Sequence, residues 1–244
     1  MLSIIATPIG NLDDLSRRAV RELREADVIA CEDTRRTRGL LSHFEIPRPA
    51  VMVSYREQTE ERAGGRLLAL LREGKKIALC SDGGYPGISD PGYRLIRDAA
   101  AEGLPFQVIP GPSAVPAALL MSGLPTSSYT FKGYPPRKPG ALRRFFEDEK
   151  EGPHTLVFFE SPKRVHRSLA AARNALGDRE AAVCVELTKK FERVFRGFLG
   201  DLAGAVATEP VRGEVTVVIA GSNPKFRRDT ADPAGLDVAG GGPE

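Results

Sequence analysis

The chain has little of what metal centres, disulfide frameworks and thiol catalysis are built from: three cysteines and three histidines among 244 residues. Cys31, Cys80 and Cys184 stand far apart, none at metal-ligand spacing from another, and each lies in or at the end of an apolar run. They read as buried free thiols in a reducing cytoplasm. His43, His154 and His166 form no motif. A zinc site and a Cys–His nucleophile are therefore not expected, and no metal is assigned. No apolar stretch reaches the roughly eighteen residues of a membrane-crossing helix, so no membrane span is expected. The opening MLSIIATPIGN lacks a charged leader and a long apolar segment, and is expected to be a first strand rather than a signal peptide. Charge of one sign is also scarce: 35 Lys and Arg face 32 Asp and Glu, a net charge of +3 with a pI near 8.8. This mild basicity is compatible with a nucleic-acid partner without requiring one.

Apolar material, by contrast, is ample at 41% of residues, enough for a core of real size. Short apolar runs at 2–6, 28–31, 51–54, 77–80 and 106–109 read as strands, and helical spacings fill the intervals. Leu15, Ala19 and Leu23 mark one helix, 35–41 a basic one, 63–71 a leucine-rich one, and Leu95, Ile96, Ala99 and Ala100 another. The alternation predicts a largely parallel α/β sheet. Residues 110–124 are small and apolar and read as a buried helix, and PPRKPG at 135–140 is a breaker. The pattern then restarts, with strands at 155–159, 181–186, 194–196 and 215–220 and helices at 164–176 and 199–207. The expected division is into two α/β domains, 1–115 and 116–222. A Gly- and Pro-rich tail at 223–244 is expected to stay disordered.

Chemistry concentrates where strands end. ATPIGNL at 6–12 places Gly10 at a strand–helix junction, where backbone can approach a ligand. It lacks the G-x-G-x-x-G spacing of a dinucleotide site. SDGGYPGISDPG at 81–92 packs four glycines and two prolines into one loop, which dictates a special backbone path; a loop this long and stiff is expected to be functional. PGPSA at 110–114 follows a third strand, with Ser113 placed to cap the next helix. In CEDTRRTR at 31–38, arginines stand early in a helix, against the dipole preference, and an anion such as RNA phosphate is the expected partner. FFESP at 158–162, ELTKK at 186–190 and RGE at 212–214 are weak signals one by one. Lys132, Arg137, Lys138, Arg143, Arg144, Lys163 and Arg164 read as a solvated basic face.

Taken in order, ATPIGNLDDLS, CEDTRRTRGLLSHF, SDGGYPGISDPGYRLI, IPGPSA, FFESPKR, ELTKKFE and RGE resemble one branch of the tetrapyrrole methylase superfamily. Its members methylate the 2′-hydroxyl of a decoding-centre cytidine in small-subunit ribosomal RNA. The resemblance spans residues 2 to about 221. It implies two α/β domains with S-adenosylmethionine in the cleft between them, a homodimer, a cytoplasmic enzyme, and ribosomal RNA in the small subunit as partner. The cofactor is then expected on Pro8, Ile9 and Gly10; on Asp82, Gly84, Pro86, Gly87 and Ile88; on Pro112, Ser113 and Ala114; and on Phe159 and Glu160. Arg35, Arg36 and Arg38 are expected at the RNA, and Glu32, Asp33 and Lys189 are the candidates for catalysis. Tyr85 departs from the branch, which usually carries Thr there. Two other readings stand beside this one: a methylase of a corrin or porphyrin precursor, and a non-catalytic ribosome-binding protein.

Overall fold

The structure is a computed structural model describing residues 1–209, 211–227 and 237–240. It divides into two compact units, Met1–Ser113 and Ala114–Glu244, the division falling two residues ahead of the expected 115/116.

The first unit alternates strand and helix throughout: β1 (Leu2–Ile5), α1 (Arg17–Glu25), β2 (Val28–Cys31), α2 (Thr34–His43), β3 (Val51–Ser54), α3 (Glu60–Arg72), β4 (Ile77–Cys80), α4 (Tyr93–Ala101) and β5 (Phe106–Ile109). The strands form one sheet in the order β3-β2-β4-β1-β5, parallel at every pairing. Parallel sheets are covered on both faces, so their strands are short and apolar almost throughout. Strand periodicity sends Leu2, Ile4, Val28, Ala30, Ile77 and Leu79 to one face, where Leu67 and Leu71 of α3 and Leu95 of α4 meet them. Ile5, Ile29, Cys31, Ala78 and Cys80 face the other way, onto Ala19 and Leu23 of α1 and Leu41 of α2. Each 4-residue strand thus feeds two core layers.

The second unit holds α5 (Ala114–Ser122), β6 (Tyr129–Phe131), α6 (Pro139–Glu147), β7 (Thr155–Glu160), α7 (Val165–Leu176), β8 (Glu180–Val185), β9 (Arg193–Phe198), α8 (Leu199–Thr208), β10 (Val215–Ile219) and β11 (Asp237–Gly240). Its sheet runs β11-β9-β8-β10-β7-β6. Only β6 and β7 are parallel; every other pairing is antiparallel. The largely parallel sheet expected from the alternation at 2–109 is that of the first unit; the second unit's sheet is mixed. The short connection from β8 to β9 makes a hairpin, since a parallel return needs a dozen residues or more. Helices α7 and α8 do make the crossovers that the alternation predicts, but each skips over a strand that runs the opposite way. The breaker at 135–140 ends by starting a helix: Pro139 occupies the first turn of α6, where its missing N–H costs nothing.

The tail expected to be disordered from 223 is structured in part. Pro224–Phe226 forms a 3-10 turn, Arg227 bridges to Arg179, and Asp237–Gly240 adds an edge strand to β9. The backbone of Asp237–Gly240 pairs with the edge of β9, which satisfies N–H and C=O groups without needing apolar side chains. Residues 228–236 and 241–244 lie outside the described residues.

The second unit is also stapled by a buried cation. Arg179 is 1% exposed, and its guanidinium donates to the carbonyls of Leu176, Ala220 and Lys150. Three chain segments converge on one planar fork, and leaving a buried acceptor unpaired costs about 1–3 kcal/mol. Arg179→Met is therefore expected to lower the melting temperature by several degrees. Arg179→Lys, which cannot reproduce the fork, should rescue little of it, as thermal unfolding followed by circular dichroism would show.

Candidate active site

In the first unit the register aligns the strand ends. Ile5 pairs with Cys80 and Ile109, Cys31 pairs with Cys80, and Ser54 with Cys31. Tyr55, Glu32, Ser81, Ala6 and Pro110 therefore leave the sheet side by side, and their loops share the carboxyl edge where α/β ligand sites form.

These loops are bonded into one body. Thr7 and Gly84 exchange both backbone hydrogen bonds at 2.9 Å, the Thr7 hydroxyl donates to the Ser81 carbonyl at 3.1 Å, and the Ser81 hydroxyl donates to the Gly84 carbonyl at 3.1 Å. The Tyr85 hydroxyl accepts from the Gly111 N–H at 3.1 Å. The departure at Tyr85 thus has a structural use, tying the β4 loop to the β5 loop. Farther along, Gly92 has a φ of 148°, and a Cβ there would lie 2.8 Å from the Gly87 nitrogen. The Gly92 N–H donates to Glu60 Oε1 at 3.1 Å, and the buried Tyr55 hydroxyl donates to the same oxygen at 3.2 Å. Glu60, which the sequence reading missed, anchors the loop.

Among the expected cofactor residues, Pro8, Gly84 and Pro86 are buried and build the loops, whereas Gly10 and Ile88 are exposed and Ile9, Asp82, Gly87, Pro112, Ser113 and Ala114 are partly so. Between the β2, β3 and β4 loops lies an open cleft of about 500 Å³, within the usual size of small-ligand sites. Glu32, Asp33, Asp82 and Asp90 line it, with Arg35, Arg56, Glu57 and Gln58. Arg56, Glu57 and Gln58 were also missed, although the loop after β3 had to open on the same edge.

The acids of this cleft differ sharply. The Asp33 carboxylate caps α2 by accepting from the Arg35 N–H at 2.8 Å, and it also takes both the Nε and Nη2 of Arg35, at 3.1 and 2.7 Å. Arg35 holds its pKa well below the usual carboxylate range. Asp82 accepts from the Asp33 N–H at 3.0 Å and stands 3.6 Å from Arg36. The Glu32 carboxylate closes no ion pair among the described residues, although Arg56 Nε donates to the Glu32 carbonyl at 2.9 Å. Burial, and then the negative charge of Asp82, push its pKa upward. The two shifts act oppositely on stability. Asp33 contributes stability that is present above its unfolded pKa and lost as pH falls. Glu32 holds its proton more tightly folded than unfolded, so its contribution is lost as pH rises through the raised value. Arg38 is exposed and has no ion-pair partner among the described residues.

Lys189 lies in the second unit. Its ammonium is 2.7 Å from Glu186 Oε1 and 3.3 Å from Glu214 Oε2, and Glu186 Oε1 also accepts from the Glu214 N–H at 2.8 Å. The motifs ELTKK and RGE, weak one by one, are a single node. Gly213 is where they touch, for a Cβ there would overlap the Glu186 carboxylate. Burial works against the charge on Lys189, but the carboxylates outweigh it and its pKa is raised. Phe159 packs edge-on against Phe131 and is tilted toward Tyr134. Glu160 is 2% exposed, and its carboxylate is taken up by the Ser161 N–H, the Ser168 hydroxyl and Arg164. It fixes the loop after β7 rather than offering a group to solvent. Among the described residues no cluster of His, Cys, Asp and Glu is arranged to hold a metal, and no helix is long and apolar enough to cross a membrane.

The profile of the Tetrapyrrole (Corrin/Porphyrin) Methylases matches residues 1–203. The same fold recurs in a cobalt precorrin-4 methyltransferase of cobalamin biosynthesis (TM-score 0.67, 20% identity, 90% of this chain and 94% of that one). It recurs also in uroporphyrin-III-C-methyltransferase from Thermus thermophilus (TM-score 0.61, 22% identity, 90% and 93%). Fold and profile define the class: the chain belongs to the tetrapyrrole methylase family. Among curated proteins it is 44% identical to "Ribosomal RNA small subunit methyltransferase I" of Halalkalibacterium halodurans, over 92% of this chain and 77% of that one. It is 41% identical to the protein so named from Thermotoga maritima, over 90% and 98%. Within the class it belongs to the ribosomal RNA small subunit methyltransferase I family.

Methyltransferases of this family imply S-adenosylmethionine as donor, and the first unit's residues fit such a molecule. The loop after β4 is held by bonds within the protein, carries glycine backbone with positive φ at Gly84 and Gly87, and presents Ile88, 47% exposed, to an apolar face such as a base. The loop's rigidity can be tested at Gly92. Gly92→Ala should cost about 1–3 kcal/mol from backbone strain and more from displacing Gly87. Gly74→Ala, also at positive φ but with nothing within 4 Å, suffers strain alone. Urea denaturation should rank Gly92→Ala as clearly the worse of the two.

Proposed function

We propose that the chain methylates the 2′-hydroxyl of a cytidine ribose near the decoding centre of small-subunit ribosomal RNA, as a cytoplasmic homodimer using S-adenosylmethionine. The observation that carries this reading is the contrast between Glu32 and Asp33 in a cleft large enough for a nucleotide. A ribose hydroxyl is a weak acid, and its oxygen attacks faster if a positioned base takes the proton. Glu32, raised by burial and by Asp82, is the proton acceptor. Asp33, locked by Arg35, holds the start of α2 in place. Lys189 stays protonated between two carboxylates, so it acts as a fixed positive charge and not as a base. S-adenosylmethionine, when bound, supplies an already activated methyl group.

For that donor we propose the accessible groups of the strand-end loops: Ile9, Gly10, Asp82, Gly87, Ile88, Pro112, Ser113, Ala114 and Phe159, with Pro8, Gly84, Pro86 and Glu160 supporting them. Arg38 reaches RNA phosphate, with Arg36 beside it, since Arg35 is committed to Asp33. The relatives' names favour RNA over a corrin or porphyrin precursor, and a cleft holding a carboxyl with a raised pKa favours catalysis over passive ribosome binding.

Transfer of labelled methyl from S-adenosylmethionine to isolated small subunits tests the reading, and its absence from both subunits and free RNA would overturn it. The rate should rise with pH as Glu32 loses its proton, with a midpoint shifted upward from that of a free glutamate by burial and by Asp82. Glu32→Gln should abolish that limb and lower kcat by about 10²- to 10⁴-fold. Arg38→Ala should instead raise KM, most visibly at low salt. Sedimentation should show a species of twice 26.4 kDa; a monomer would remove the dimer from the proposal.

A further inference from the structure

The basic residues of the second unit are unevenly distributed. From Lys132 to Phe146, and again from Ser161 to Gly177, the sequence holds nine of the chain's 35 cations and none of its 32 acids. The fold brings these two stretches together. Helix α6 packs on α7, and Arg164 donates to the carbonyls of Pro135 and Pro136, each at 3.0 Å. The buried Glu160 carboxylate pairs with Arg164 and so fixes the junction from below. Some of the nine cations are neutralised within the unit: Lys132 by Glu149, Arg143 by Glu147, Arg164 by Glu160 and Arg173 by Asp178. Arg137, Lys138, Arg144, Lys163 and Arg167 are exposed and have no ion-pair partner among the described residues. Arg137 follows directly on the carbonyls that Arg164 holds, and Lys163 directly precedes Arg164, so these cations stand on a braced junction rather than on loose chain.

An aromatic ring stands on the same loop. Tyr134 is 59% exposed, and its ring lies 5.6 Å from that of Phe159. The Phe159 N–H in turn donates to the Gly133 carbonyl at 2.9 Å. The residue is thus largely exposed while its ring rests at a tilt against Phe159. Exposed guanidinium and ammonium groups beside a supported aromatic ring are the composition of a single-stranded nucleic-acid surface. Cations follow the phosphates, and the ring stacks a base without reading its identity.

We propose that this junction, the loop at 134–138 together with the turn at 161–164, binds single-stranded RNA. Phosphates lie on Arg137, Lys138 and Lys163, and a base stacks on Tyr134. The assignment rests on the preceding reading for the source of the RNA, but not for its chemistry. Glu160 and Arg164 are positioning residues that hold the two segments at a fixed spacing.

Fluorescence anisotropy with a labelled single-stranded RNA oligonucleotide, repeated over a salt series, tests the surface. The variant carrying Arg137→Ala, Lys138→Ala and Lys163→Ala should lose at least about tenfold in affinity at low salt. Its slope of log affinity against log salt should flatten by about two, near 0.7 for each phosphate that is no longer neutralised. Its melting temperature should not change, because the side chains removed are exposed. Tyr134→Leu should weaken binding with little change in slope, and Tyr134→Phe should restore it. Unchanged affinity and slope in the triple variant would overturn the assignment. So would a loss confined to phosphatidylserine vesicles, which would make the patch a lipid surface. If the wild-type chain transfers no methyl to small-subunit RNA while its RNA affinity still depends on these residues, the surface stands and the proposed reaction falls.

Discussion

The first unit depends on the common direction of its five strands. In a parallel sheet every strand must be re-entered from the same side, so every outgoing loop opens on the same edge. The register tightens this, because Ile5, Cys31, Cys80 and Ile109 pair across at one level. Segments as far apart in sequence as 6–12, 32–36, 55–59, 81–92 and 110–113 then begin within neighbouring strand spacings of one another. Strands of four residues suffice at the centre of the sheet, where β1, β2 and β4 are buried on both faces, while the edge strands β3 and β5 are partly exposed; a short strand leaves more of the chain for loops.

Loops gathered on one edge must still be held in shape, and the structure does this with backbone geometry and a few buried acceptors. Gly92 gives up its side chain so that the backbone at Gly87 can pass against it, and Glu60 holds the Gly92 N–H. Local charge then divides the acids of the cleft. Arg35 closes on Asp33 and fixes it as a carboxylate; Glu32, one residue earlier, lies deeper beside Asp82 and meets the opposite environment. Adjacent carboxylates thereby acquire different proton affinities with no change of residue type.

How much of this was legible beforehand follows from the range of each interaction. The five strands of the first unit could be read because buried parallel strands are bare apolar runs, and the loop at 81–92 because its glycines and prolines dictate its path. The resemblance placed Glu32, Asp33 and Lys189 among the candidates without distinguishing their states. Asp33 is set by Arg35, two residues on in the same motif, whereas Glu32 is set by burial and then by Asp82, fifty residues away, which only folding brings to it. Glu60 gave no signal because its partner Gly92 is 32 residues distant, and Glu186 none because Gly213 and Glu214 reach it only once β8 and β10 have paired. Strand direction in the second unit was hidden for a similar reason: periodicity reports which side chains are buried, not which way the neighbouring strand runs. The strand Tyr129–Phe131 is simply too short to show a period.

The second unit's acid-free stretches make the same point about charge. A net charge of +3 describes a nearly balanced chain, and on that figure its basic residues look like ordinary solvated surface. Balance over a whole chain, however, constrains nothing about a patch. If nine cations gather where no acid stands, the remaining residues must carry an excess of acids, and the two regions present opposite fields to a polyanion. Folding sharpens the separation by using the flanking acids Glu147, Glu149 and Glu160 on some cations and leaving others without a counter-charge. An ion pair already closed has little to offer a phosphate, since breaking it costs about what the new contact returns. The cations that matter to a nucleic acid are therefore those the fold leaves unpaired, and which these are is decided by tertiary structure, not by composition.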